Sequence, residues 1–244
     1  ARYVSKNQNA INFPFKRYQI QPVWRADRPQ YGRFQEFLQC DADIIGSDSL
    51  FLEVDLILLC AEVFNKLDLK HITIKINHRK ILYDISKKIG FKNNFKSFTT
   101  ILDKFNKIGS KGIIDLLKKE DISTSKLSDL KYLLNLEGSN EFKLKSISEF
   151  LGTSFTENNG LNDINQILNN DFIQSSDNFK IEFDLTLARG LDYYTGSIFE
   201  ISSTENDGIG SIGGGGRYDD LTSTFGLKNM SGVGVSFGFD RIYL

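Results

Sequence analysis

Gly232-Val-Gly-Val-Ser-Phe-Gly238 constrains the fold more than any other stretch of this chain. Side chains on a strand alternate between faces, so this run has one face of Val233, Val235 and Phe237 and an opposite face that is nearly bare. A strand bare on one side needs a sheet around it and something laid against it. A ligand or a second backbone lying flat on the sheet is one reading, and a tightly packed strand crossing is the other. Phe239 to Leu244, just beyond, reads as the start of a helix.

Glycine and proline divide the rest of the chain. All three prolines fall within the first 29 residues, and glycine crowds the region from Gly190 onward. Between them lies a Lys/Asn/Ser-rich middle. The expected organisation is an α+β domain with a mostly antiparallel sheet, in two outer parts, 1–83 and 177–244, separated by a helical insertion at 84–176. In the first part, Arg2 to Gln8 reads as a short helix. Arg17 to Arg25 alternates as a strand, Asp27 to Gly32 is a loop, and Arg33 to Ile45 is a returning strand. The pair makes an antiparallel hairpin. Ser49 to Leu67 has helical spacing, and Ile72 to Ile76 alternates again. In the last part, Lys180 to Leu187 and Ser197 to Ser202 read as strands, and Gly208 to Gly216 as a glycine-dense turn and strand.

In the middle, Leu, Ile and Phe recur at intervals of three and four, with Lys87, Lys88, Lys92, Lys96, Lys104, Lys107, Lys111, Lys118 and Lys119 between them. These are helices with a cationic face, diluted by acids in the same stretch.

Composition excludes several classes. Thirty Lys and Arg against 31 Asp and Glu give a net charge of −1, so the chain is not a globally basic nucleic-acid binder. No apolar run approaches a membrane span, and the N-terminus lacks a signal-peptide core. Cys40 and Cys60 cannot build a disulfide framework and have no metal-ligand spacing, so no metal site is expected. Reduced thiols packed as small hydrophobes, and with them a cytoplasmic location, are the expectation. The two histidines, His71 and His78, lack triad spacing. Chemistry must then run on Arg, Tyr, Gln and carboxylates.

Cations and glycines coincide in three places. Arg25 ends a strand and faces a loop with Arg33 across it. Arg189 leads into a turn with adjacent Tyr193 and Tyr194. Arg241 follows the bare strand. Each alone reads as a surface ion pair. Together they would suit a polyphosphate, because guanidinium is a permanently charged planar fork of donors. Gly213 to Gly216 is neither a Walker loop, which needs a following Lys-Ser/Thr, nor a dinucleotide fingerprint, which needs a βαβ unit.

Four stretches resemble the catalytic domain of the histidyl-tRNA synthetases, a class II aminoacyl-tRNA synthetase family. Tyr18-Gln-Ile-Gln-Pro-Val-Trp-Arg-Ala-Asp-Arg-Pro-Gln-Tyr-Gly-Arg33, continuing through Phe37-Leu-Gln39-Cys-Asp-Ala-Asp43, is similar to motif 2 in its histidine-specific form. Leu187-Ala-Arg-Gly-Leu-Asp-Tyr-Tyr-Thr-Gly196 and Gly214-Gly-Gly-Arg-Tyr-Asp219 resemble the two histidine signatures, and Gly232 to Arg241 resembles motif 3. RGLDYYTG is the most specific of these. Asp27 and Asp43 stand where the family usually has Glu, one methylene shorter. By the resemblance the chain lies after the motif 1 helix and stops inside motif 3, which implies a catalytic-domain fragment of a longer protein.

The resemblance implies activation of histidine by ATP with Mg2+ and transfer to tRNA(His), in a homodimer. It implies that Arg25 and Arg189 flank the α-phosphate as catalytic residues, that Asp27, Arg33 and Arg241 serve ATP, and that Phe37 stacks on adenine. Gln39, Asp43, Arg189, Tyr193, Tyr194 and Tyr218 would bind histidine, Asp43 and Tyr194 at the imidazole nitrogens. The competing reading is a non-catalytic paralogue, such as the regulatory subunit of ATP phosphoribosyltransferase, which has no need of arginines gripping ATP.

Overall fold

The computed structural model describes residues 1–26, 28–174, 179–189, 193–203 and 210–244. The hairpin forms as its alternation predicts. Phe15–Trp24 (β1) pairs antiparallel with Glu36–Ile45 (β2), with Trp24 opposite Glu36 and Arg17 opposite Asp43. Ile72–His78 (β3), Lys180–Phe183 (β4), Ser197–Ser203 (β5), Gly213–Arg217 (β6) and Gly232–Gly238 (β7) complete the sheet. Among the described residues its order is β1-β2-β7-β6-β5-β3-β4.

The sheet is mostly antiparallel, as expected, but β4 joins it parallel to β3, Ile74 beside Ile181. Parallel neighbours cannot be joined by a hairpin, so a long crossover must intervene. The helices between β3 and β4 are that crossover. They are Arg79–Ile89 (α3), Phe95–Leu102 (α4), Phe105–Leu117 (α5), Thr124–Leu134 (α6), Asn140–Leu151 (α7), Asn159–Leu168 (α8) and Asp171–Gln174 (α9). In the outer parts, Arg2–Asn7 is α1, Phe51–Lys66 is α2 and Phe239–Tyr243 is α10.

Two expected boundaries move. The helical segment starts at Arg79 rather than near residue 84, because buried His78 caps α3 directly, its Nδ1 accepting from Lys80 N at 3.1 Å. The expected strand from Lys180 to Leu187 stops at Phe183. Asp184 ends it by accepting from both Thr186 N and Thr186 Oγ1, a local bond that competes with strand pairing.

One face of the sheet is the core. Ile44, Val233, Val235, Phe237, Phe199, Ile201, Ile74, Ile76 and Phe183 are buried there. Helix α2 lays Val54, Ile57, Ala61 and Phe64 on it, and Phe64 meets Phe237 edge-on at 5.6 Å. The same apolar cluster runs on through Leu82, Phe98, Ile113, Ile147 and Ile164 of the helical segment. Sheet and crossover thus bury one continuous core.

Candidate active site

The opposite face is polar because the registers add up. Gln19 pairs with Asp41, Asp41 with Ser236, Ser236 with Gly214, Gly214 with Glu200, Glu200 with Lys75, and Lys75 with Glu182. One transverse row therefore crosses all seven strands with hardly a hydrophobic residue in it.

The bare glycines lie on this face, and side chains of the chain itself fill the space above them. A Cβ on Gly214 would overlap the Arg189 guanidinium. On Gly216 it would lie 2.8 Å from the Tyr194 ring, on Gly234 it would overlap the Asp43 carboxylate, and on Gly232 the Tyr218 ring. The expectation of a ligand lying flat on the glycines is thus corrected: four polar side chains lie on them. Gly215, on the core side of β6, is held to glycine by the paired strand, since a Cβ there would overlap the Gly234 carbonyl.

A cleft of about 480 Å3 opens over this floor, lined by Arg25, Arg33, Phe37, Gln39, Arg189, Tyr193, Tyr194 and Arg241 among others. The hairpin, the segments bearing Arg189 and Tyr193–Tyr194, and the end of β7 thus converge, bringing four arginines to one cavity. Arg25 lies over the Phe37 ring at 5.0 Å and reaches Gln39 Oε1 at 3.4 Å. Arg241 donates to Gly32 O at 2.7 Å and Ser211 O at 2.5 Å, tying the hairpin loop to the strand edge. Arg33 closes a small bridge with Gln30. Asp27, the remaining expected nucleotide residue, lies outside the described residues.

Asp43 and Tyr218 line a second cavity of about 660 Å3, and Tyr193 belongs to both. Tyr218 Oη donates to Asp43 Oδ1 at 2.6 Å, and Arg17 Nη1 to Asp43 Oδ2 at 2.9 Å. Burial raises the Asp43 carboxyl above the ordinary range, partly countered by these two partners. Burial likewise pushes up the Tyr218 and Tyr194 phenols, so both remain donors at neutral pH. Tyr193 and Tyr194 hydroxyls lie 3.5 Å apart. The structure thus groups the expected residues into an arginine-rich cleft and a tyrosine–carboxylate pocket.

Arg189 sits on the cleft side. Its Nη1 donates to Phe199 O at 3.0 Å, and its guanidinium faces the Tyr194 ring at 5.9 Å. Its backbone is left-handed, φ 37°. Beside it, burial raises the Glu200 carboxyl, with Arg189 and Lys75 pulling the other way. Such a site can hold a polyanion against fixed cations and present donors and an acceptor to a small polar ring.

Sequence reasoning missed several participants. Arg17 holds Asp43, a pairing that follows from counting the hairpin register back from Trp24 and Glu36. Gln39 Nε2 bonds Ser236 Oγ. Arg217, within the second signature, turns to the core side, where it bonds Glu53 of α2 through both carboxylate oxygens and Ser231 Oγ at 2.6 Å. No local pattern marks that long-range pair. His78, unassigned from sequence, is a cap whose Nε2 meets Asp163 at 3.3 Å.

A mostly antiparallel sheet carrying an arginine-bearing hairpin, a glycine-floored cleft and an arginine beyond the last strand is the architecture of class II aminoacyl-tRNA synthetases. The model of the histidyl-tRNA synthetase family matches residues 1–242, and the chain belongs to that family. It is 52% identical over 244 residues to a histidine–tRNA ligase of Christiangramia forsetii, covering 100% of this chain and 54% of that protein. A crystal structure of histidyl-tRNA synthetase from Nostoc sp. PCC 7120 superposes with a TM-score of 0.86 at 30% identity, over 99% of this chain and 56% of that one. A Bacillus halodurans structure described as an ATP phosphoribosyltransferase regulatory subunit/histidyl-tRNA synthetase shares the fold, with TM-score 0.81 and 22% identity, over 99% of this chain and 61% of that one. The chain spans about half the length of the curated relatives it matches.

Proposed function

We propose that the protein to which this chain belongs is a histidine–tRNA ligase. The observation that carries this reading is Arg189, seated on Gly214 and facing Tyr194 within a cleft that also holds Arg25, Arg33 and Arg241. In the first step an oxygen of the histidine carboxylate bonds to the α-phosphorus of ATP as the bond to the bridging oxygen breaks, giving histidyl-adenylate and pyrophosphate. Charge grows on the α-phosphate oxygens, and Arg25 and Arg189 neutralise it. Arg33 and Arg241 hold the outer phosphates, Asp27 serves the nucleotide, and Phe37 offers its ring to the adenine. Mg2+ arrives with ATP as part of the substrate.

Asp43 and Tyr194 meet the two imidazole nitrogens, with Gln39, Tyr193 and Tyr218 around them. A ring with two distinct nitrogens is told from its analogues by polar groups that would otherwise be left unpaired. The second step passes the histidyl group to the terminal adenosine of tRNA(His). The homodimer and the cytoplasmic location are carried over from the family. Among the described residues no helix is long and apolar enough to cross a membrane.

The test is pyrophosphate exchange into ATP by the full-length protein with each amino acid in turn. Exchange that requires histidine supports the ligase. Stabilisation by histidine without exchange supports the non-catalytic paralogue.

A further inference from the structure

A guanidinium is only as well placed as the backbone behind it, and the backbone before Arg189 has left the sheet. Past Phe183 its carbonyls are held by side chains from the end of β3 and the start of α3. Asn77, fully buried, donates through Nδ2 to Leu185 O at 3.2 Å and Leu187 O at 2.9 Å. Its Oδ1 accepts from His78 N at 2.8 Å, which fixes the orientation of the amide. Arg79 Nη1 then donates to Ala188 O and Arg189 O, each at 3.5 Å.

The main chain of Arg79 reaches the other end of the same signature, its N–H donating to Gly196 O at 2.9 Å. One residue therefore touches both Arg189 and Gly196, the two ends of the stretch that bears Tyr193 and Tyr194. The left-handed backbone of Arg189 is unfavourable for a residue with a Cβ, and persists only where its surroundings enforce it. Arg79 is itself buried, and its guanidinium lies over the ring of Phe95, the first residue of α4, at 4.8 Å.

We propose that Arg79 is a positioning residue for adenylate formation, clamping the carbonyls of Ala188 and Arg189 so that the Arg189 fork stays seated on Gly214, with Phe95 of the helical segment fixing the clamp. The proposal rests on the role assigned above to Arg189. Arg79 is not among the residues lining the cleft, so it acts through Arg189. Removing its side chain takes a donor from two carbonyls and lets the left-handed backbone of Arg189 relax. A displacement of about 1 Å at a reacting group costs on the order of a hundredfold in rate.

The experiment uses the full-length protein with Arg79→Met, Arg79→Lys and Phe95→Leu. Arg79→Met is expected to lower kcat of histidine-dependent exchange about 30- to 100-fold, with KM for ATP and histidine moving less than about threefold. Arg79→Lys, which keeps a charged donor, should recover about a third of the lost factor on a logarithmic scale, and Phe95→Leu should lose about three- to tenfold. In an Arg189→Lys background, Arg79→Met should add less than about threefold, because no fork remains to be placed. Multiplicative losses, or a loss carried by KM, would overturn the proposal.

Hydrogen–deuterium exchange of peptides covering 184–189 gives a readout independent of turnover. The amides of Thr186 and Leu187, both bonded to Asp184, should exchange faster in Arg79→Met. Unchanged exchange there overturns the clamp even where the ligase activity stands. Wild-type protein without histidine-dependent exchange overturns the ligase reading, and the positioning role with it.

Discussion

Asp43 and Tyr218 are 175 positions apart in the chain and 2.6 Å apart in space, the phenol donating to Oδ1 of the carboxylate. Arg17 takes Oδ2 from the other side. An ionised carboxylate has about four lone-pair sites, so two bonds orient it and still leave room for a ring N–H.

Tyr218→Phe should therefore weaken histidine and spare ATP. One hydrogen bond to a charged acceptor is worth about 1.5–3 kcal/mol, so KM for histidine should rise at least about tenfold. The lost bond favoured the ionised carboxylate, so Asp43 should protonate at a higher pH in the variant. Its histidine binding should then fail at a higher pH than the wild type's as pH is lowered. Steady-state exchange at several pH values measures both effects, and an equal loss for ATP would count against this role of the pair.

Gly214→Ala should behave as a catalytic lesion, since a methyl group there displaces the Arg189 guanidinium and lies 2.8 Å from Phe199 O. The expected loss in single-turnover adenylate formation is about 10²- to 10³-fold, that of removing one donor to the transition-state oxyanion. Gly226→Ala is the control. Gly226 has φ 86° with open space where a Cβ would go, so the cost should be roughly 1 kcal/mol of stability with activity unchanged.

The ion pair under the second signature should be a stability element. Glu53 has no exposed surface, and bonds Arg217 through both oxygens and Ser197 Oγ at 2.9 Å. Glu53→Ala would strand a buried guanidinium and should cost about 3–5 kcal/mol in urea unfolding. A cost under about 1 kcal/mol would show that water or a neighbour takes over.

Asp184 links acid stability to the approach toward Arg189. Burial raises its pKa, but bonds from Lys75 at 2.7 Å and from Thr186 outweigh this and hold the carboxyl below its ordinary value. With the folded value depressed, its contribution is fully present above the unfolded pKa and is lost as pH falls through the folded one. Asp184→Asn should thus be less stable than wild type at pH 7, with the gap closing below about pH 3.8. Urea titrations from pH 7 to pH 2.5 measure the gap, and a constant difference would refute the linkage.

Local signals made much of the fold, and many residues of the candidate site, legible in the sequence. The alternation from Arg17 to Arg25 and the helical spacing after Ser49 each describe one element, and each element formed. Arg25, Arg33, Phe37, Gln39, Arg189, Tyr193, Tyr194 and Arg241 were picked out by motif and share one cleft. What stayed hidden depends on partners far along the chain. Nothing between Asp184 and Leu187 says that Asn77 will take over from the β ladder, so the apolar alternation there reads as strand. The parallel pairing of β4 is invisible because an alternation such as Lys180 to Leu187 carries no direction. Arg217, given no role from sequence, faces away from its neighbour Tyr218 because successive positions on a strand face opposite ways, and its partner lies on α2.

The four glycines under the site are moulds, each with a polar side chain over it, 214 under Arg189, 216 under Tyr194, 234 under Asp43 and 232 under Tyr218, and with the Phe199 and Ser197 carbonyls also crowding 214 and 216. A descendant that gave up Arg189 would remove the larger overlap at 214, yet the Phe199 carbonyl, 2.8 Å from a Cβ there, would still hold the position to glycine. It would still carry the seat for the arginine. Strands β6 and β7 therefore carry, as empty positions, the imprint of the four polar side chains above them.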